Sequence, residues 1–107
     1  MSDHTTEAAH ALLASAAPLV AEHAELERSM ADPELHADQS ALRRTTKRYA
    51  ALGPVVAAYR ALAAARADLA AAHELAGEDP DFAAELPAIE AVSALAQSRL
   101  HTLLLPR

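Results

Sequence analysis

Thirty of the 107 residues are alanine, against two glycines and three aromatics, and that ratio restricts what the chain can fold into. Alanine loses no side-chain entropy in a helix and is the best helix former, yet it buries little area. The composition therefore favours helices that approach closely over thin seams, and it disfavours a thick core built on Tyr49, Tyr59 and Phe82. Gly53 and Gly77 are the only glycines, so tight turns are scarce and an all-β fold is strongly disfavoured. The expected fold is all-α: an antiparallel helical bundle, or a coiled-coil-like hairpin, of about four helices. Its length suits one domain spanning residues 1–107.

The apolar spacing divides the chain. Residues 1–4 are expected to fray, with Thr5 or Thr6 as the cap of a first helix that runs to about Ala31. Leu12, Leu19 and Leu26 recur every seven residues, with Ala16, His23 and Met30 on the companion line. Pro18 interrupts this pattern and predicts a kink, or a break with Pro18 opening a new helix. Asp32-Pro33 ends the first helix. A second helix is expected over roughly Asp38–Leu52, after a short turn at Glu34–His36, with Leu42, Tyr49 and Leu52 inward. Gly53-Pro54 reads as a stop followed by a start. The third helix then runs from Pro54 to about Ala76, with Val55, Leu62, Leu69 and Ala76 on one line, Ala58, Ala65 and Ala72 on the other, and Gly77 as its stop. Asp79 and Pro80 open the fourth region. Residues 80–86 are expected to form a separate turn or a kinked entry. A last helix from Ala88 buries Ile89, Val92, Ala96, Leu100 and Leu103 or Leu104, and Pro106 ends it.

Little in the chain points to catalysis. There is no cysteine, hence no disulfide, thiolate ligand or thiol nucleophile. None of the six histidines has another three or four residues away, so the common zinc-helix spacings are absent. Two isolated glycines leave no phosphate loop and no Gly-x-Ser-x-Gly elbow around Ser15, Ser29, Ser40, Ser93 or Ser98. No catalytic residue, cofactor or metal is expected. The start of the chain lacks a basic leader, and its apolar runs are too short or too charged to span a bilayer. A soluble, cytoplasmic chain with no membrane partner and no small-molecule substrate is expected.

Two charged sets remain. Arg43, Arg44, Lys47 and Arg48 share one broad helix face. They are the candidate partner-binding residues, for RNA phosphate or an acidic protein, although a solvated or internally paired face explains them as well. Glu74, Glu78, Asp79, Asp81 and Glu85 form an acidic set. They read as helix capping and solubility, or as a partner-docking tip or weak cation site. The net charge of −6 makes the whole a poor general nucleic-acid binder.

The order of pieces carries further information: His23–Pro33 (HAELERSMADP), Ala37–Gln39, the basic Arg43–Tyr49, Leu52–Tyr59 (LGPVVAAY), the Glu-Asp-Pro-Asp-Phe turn at 78–82 and the closing Leu103-Leu104-Leu105-Pro106. Together, from about Leu12 onward, they resemble the amino-terminal helical domain of a bacterial class-I peptide chain release factor, of the UAA/UAG-reading type. That resemblance implies a role in translation termination. It implies two partners, the ribosome at the large-subunit stalk base and the GTPase release factor. The leader before Ala21, including Pro18, departs from the family pattern. So does the lack of a Gly-Gly-Gln peptide-release motif and of a Pro-x-Thr codon-reading tripeptide. The expectation is an isolated domain, fragment or truncated relative that neither hydrolyses peptidyl-tRNA nor reads a codon, and that acts as a helical lever with a charged surface. The competing reading is a stand-alone interaction module, such as a homodimer that buries the Val55/Leu62/Leu69 seam between two chains.

Overall fold

Three aspartates decide where helices begin in the computed structural model, which describes residues 2–106 and side chains from residue 6 onward. Helix α1 spans Ser2–Met30. Asp32 caps the five-residue α2, Pro33–Ala37, by accepting a hydrogen bond from the Glu34 N–H at 3.0 Å. Asp38 caps the 40-residue α3, Gln39–Glu78, by accepting from the Ala41 N–H at 3.1 Å. Asp79 caps the single turn α4, Pro80–Ala83, by accepting from the Asp81 N–H at 2.9 Å. Each carboxylate satisfies a donor that the helix leaves free and sits at the positive end of the helix dipole. Helix α5, Leu86–Leu104, has no side-chain cap and ends where Leu105 turns extended before Pro106. The described residues contain no strand, so the all-α expectation is borne out.

The second and third helices expected on either side of Gly53-Pro54 are one rod. Gly53 does not take the left-handed conformation of a helix stop, and Pro54 lies exposed inside α3. A proline at that place removes one donor and crowds the carbonyl of Ala50, which costs about 3 kcal/mol. Leu52, Val55 and Val56 flank it and are only 3, 8 and 3% exposed. Each large apolar side chain held out of water contributes about 1.5–3 kcal/mol, so a break that uncovered two of them would cost at least as much as the proline. Burial wins and the helix continues. Pro18 is likewise exposed within an unbroken α1. Gly77 is not the stop either; α3 runs one residue past it and ends at the Asp79 cap. At the start, α1 already includes Ser2, ahead of both threonines, so neither Thr5 nor Thr6 caps it and residues 2–4 are helical; Met1 lies outside the described residues. The short turns expected near residues 34–36 and 80–86 are α2 and α4.

Helices α1 and α3 run antiparallel, with Glu22 meeting Arg48 toward one end and Thr6 meeting Arg66 toward the other. Helix α5 returns along α3. The core lies where all three meet: Ala16, Val55, Ala58, Leu62 and Leu100 are buried together, with Leu12, Leu19, Ala96, Leu103 and Leu104 packed around them. Ala16 and Ala58 let the backbones approach, as the composition implied. The seam of α3 is buried as expected along both of its lines from Val55 to Ala72. The inner line of α5 is as expected at Ile89, Ala96, Leu100, Leu103 and Leu104 but not at Val92. Val92 is 61% exposed and Ser93 is buried, so the inward positions are 89, 93, 96 and 100, spaced four, three and four apart.

Forty residues at 1.5 Å each make α3 about 60 Å long, which matches the 61 Å extent of the molecule. Because Leu103 and Leu104 reach the cluster around Val55 and Ala58, α5 stops beside the middle of α3. Beyond that point the C-terminal half of α1 and the N-terminal half of α3 project as a two-helix arm closed by α2. The opposite end is made by the last turns of α3, by α4 and by the start of α5. Among the described residues no helix is long and apolar enough to cross a membrane.

Candidate partner-binding surface

The four basic residues singled out in the sequence lie on the exposed side of the two-helix arm, yet they have different surroundings. Arg48 is engaged: its Nε donates to Glu22 Oε2 at 2.6 Å and a terminal nitrogen donates to Glu22 Oε1 at 2.8 Å. A planar guanidinium and a carboxylate meet here in a two-point fork, which fixes angle as well as distance. The hydrogen bond and the charge of Arg48 hold the Glu22 carboxyl below its ordinary value, and Glu22 in turn raises Arg48. The next residue continues the lock. The Tyr49 hydroxyl donates to Glu27 Oε1 at 2.9 Å, and its ring stacks on His23 with centroids 4.2 Å apart and planes 18° from parallel. The hydrogen bond to the Glu27 carboxylate pushes the Tyr49 phenol up. His23, placed by its spacing on the companion heptad line, is half-buried there.

Arg43, Arg44 and Lys47 are different. Arg43 has a long 3.4 Å contact with Ser40 Oγ in the preceding turn. Arg44 and Lys47 form no ion pair among the described residues. The helix thus turns three cations outward within about one turn, while the fourth ties the helix to α1. At the tip, the ring of His36 donates from Nε2 to the carbonyl of Met30 at 2.8 Å and closes α2 onto the end of α1. Arg28 pairs with Glu25 on the same helix. The arm is a braced support for a small cationic face. It offers no nucleophile with an adjacent base, and the described residues hold no group of three or more His, Asp or Glu side chains able to hold a metal ion.

Reading the sequence missed Glu22 and Glu27. Glu27 stands within HAELER and Glu22 just before it, but their partners lie 22 and 26 residues away, and only the register of α1 against α3 brings them together.

A family model for the PCRF domain matches residues 19–107. The chain belongs to the PCRF domain family. Along this PCRF chain, peptide chain release factor 1 of Mycobacterium sp. (strain KMS) is 53% identical over 89 residues, which is 83% of this chain and 25% of that protein. Peptide chain release factor 1 of Acidothermus cellulolyticus is 54% identical over 85 residues, 79% of this chain and 23% of that protein. The protein of the same name from Clavibacter michiganensis is 48% identical over 93 residues, 87% and 26%. The resemblance to class-I release factors read from the sequence is borne out. The chain spans about a quarter of the length of these curated relatives. No solved structure matches it.

Proposed function

We propose that this PCRF domain serves translation termination as the amino-terminal, ribosome-contacting part of a class-I release factor of the UAA/UAG-reading type. Its contribution is positional. The α1–α3 arm holds Arg43, Arg44 and Lys47 toward ribosomal RNA phosphate or an acidic protein at the stalk base of the large subunit, and toward the GTPase release factor. Arg48 belongs to the same face and supports it through Glu22. The observation that carries this reading is an open trio of cations on a braced arm in a chain whose relatives are named release factors. The chain performs no chemistry in this scheme.

The competing homodimer has lost its surface. Val55, Leu62 and Leu69 are 8, 0 and 9% exposed within a single chain, so they are not free to pair with a second copy.

Sedimentation of the chain with ribosomes, in competition with an intact release factor 1, tests the proposal. Salt-sensitive co-sedimentation that the intact factor displaces is expected. Failure to bind at low salt with the fold intact overturns it.

A further inference from the structure

The end of the molecule opposite the basic arm has a different character. From Ala67 to Ser98 the sequence carries seven carboxylates and no lysine or arginine. All seven are exposed, and none forms an ion pair among the described residues. Within this end lies a groove of about 360 Å³ between α3, α4 and α5. Ala65 and Ala72 contribute to its floor, Leu75, Phe82, Ile89 and Val92 to its walls, and Asp68 to its rim. Leu75 and Val92 are 46 and 61% exposed, and Leu95, three residues along α5 from Val92, extends the apolar strip at 73%. The sequence pattern had assigned Val92 to the core. The helix instead turns Ser93 inward and leaves Val92 and Leu95 facing solvent.

We propose that this groove docks a cationic amphipathic helix of a partner protein. A trough with small side chains in its floor and large ones on its walls accepts the apolar stripe of a helix, presented at i, i+3, i+4 and i+7. Charge selects the class of partner. Nucleic acid and anionic bilayers are disfavoured by a surface whose seven acids face a single exposed cation, Arg99, at the far end of the strip beyond Leu95. A second copy joined through the same patch would bring two anionic rims face to face, and like charges so placed weigh against association. A helix flanked by lysine or arginine gains on both counts: it covers Val92 and Leu95, and it pairs with Asp68, Asp81 and Glu85. This assignment is independent of the basic arm and of the release-factor reading.

The test is titration of the isotope-labelled chain with an 18-residue helical peptide of leucine and lysine, its leucines on one face. The control is a peptide of the same composition in scrambled order. The amphipathic peptide is expected to shift the amide resonances of Leu75, Phe82, Ile89, Val92 and Leu95 and to bind at least tenfold more tightly than the scramble. Val92→Ser with Leu95→Ser should weaken it about tenfold without lowering the thermal midpoint, because both side chains are already exposed. Asp81→Asn with Glu85→Gln should flatten its salt dependence. Equal binding of the two peptides overturns the proposal, since charge alone would then explain it. So do resonance shifts that leave the groove untouched, or concentration-dependent shifts at Val92 and Leu95 without peptide, which would make the occupant a second copy.

Discussion

The three-helix middle and the two-helix arm are held together by different physics. In the middle, Ala16, Val55, Ala58, Leu62 and Leu100 exclude water from both sides of α3. In the arm, where α5 has ended, α1 and α3 are tied by Glu22 with Arg48, Glu27 with Tyr49 and the stack of His23 on Tyr49. The middle is held by buried apolar side chains. The arm is wet, and its ties are polar and exposed. A helical hairpin with only one partner face buries less apolar surface than a three-helix layer, so directional contacts add to it where the third helix stops. The same exposure keeps Arg44 and Lys47 available at the surface.

The largest expected effect is in the middle. Leu62→Ala removes a fully buried side chain between α1, α3 and α5 and should lower stability by roughly 2–5 kcal/mol in urea unfolding. A loss under about 1 kcal/mol would mean that the middle is not the packed part. Next is Pro54→Ala. It restores a donor and relieves the clash with Ala50, at about 3 kcal/mol, but gives back about 0.4–1 kcal/mol of unfolded-chain entropy. A net gain of about 2 kcal/mol is expected by thermal unfolding; a loss would show that Pro54 stabilises α3 through a contact of its own.

Smaller effects belong to the arm. The Glu22 carboxyl is held below its ordinary value of 4.5, so its bond to Arg48 contributes above the ordinary carboxylate range and is lost as pH falls through the lowered folded value. Amide protection around Glu22 and Arg48, taken relative to the unfolded-chain rate at each pH, should therefore fall on acidification before that of Leu62 does, and Glu22→Gln should remove the difference. Identical acid profiles in arm and middle would break the comparison. The finest probe is Tyr49, whose phenol lies above its ordinary 10.0 because it donates to Glu27. The contribution of that bond is complete below pH 10 and is lost as pH rises through the raised value. An absorbance titration should show Tyr49 ionising late, and Glu27→Gln should bring it down. A Tyr49 titration indifferent to that change would remove Glu27 from the lock.

Much of the fold was legible because heptad lines are local. Leu12 with Leu19, and Val55 with Leu62 and Leu69, recur within single helices, and each lies on the side expected of it. The misjudged places were settled by tertiary balance. Gly53-Pro54 is a break by local propensity, but buried neighbours on both sides outweigh it. Val92 is apolar and three residues from Ile89, so its spacing looks inward; the small Ser93 seats more closely against α3. At the candidate surface, the cations could be named from their spacing alone. That Arg48 is occupied and Arg44 and Lys47 are open depends on the register between α1 and α3, which no local pattern encodes.

The most direct test of the central claim, that the open cations of a braced arm make the contact, is ribosome binding by Arg44→Glu with Lys47→Glu, measured across a salt series beside the thermal midpoint. The account predicts at least a tenfold loss of affinity, a shallower salt dependence and an unchanged midpoint. Undiminished binding by the folded variant would contradict it.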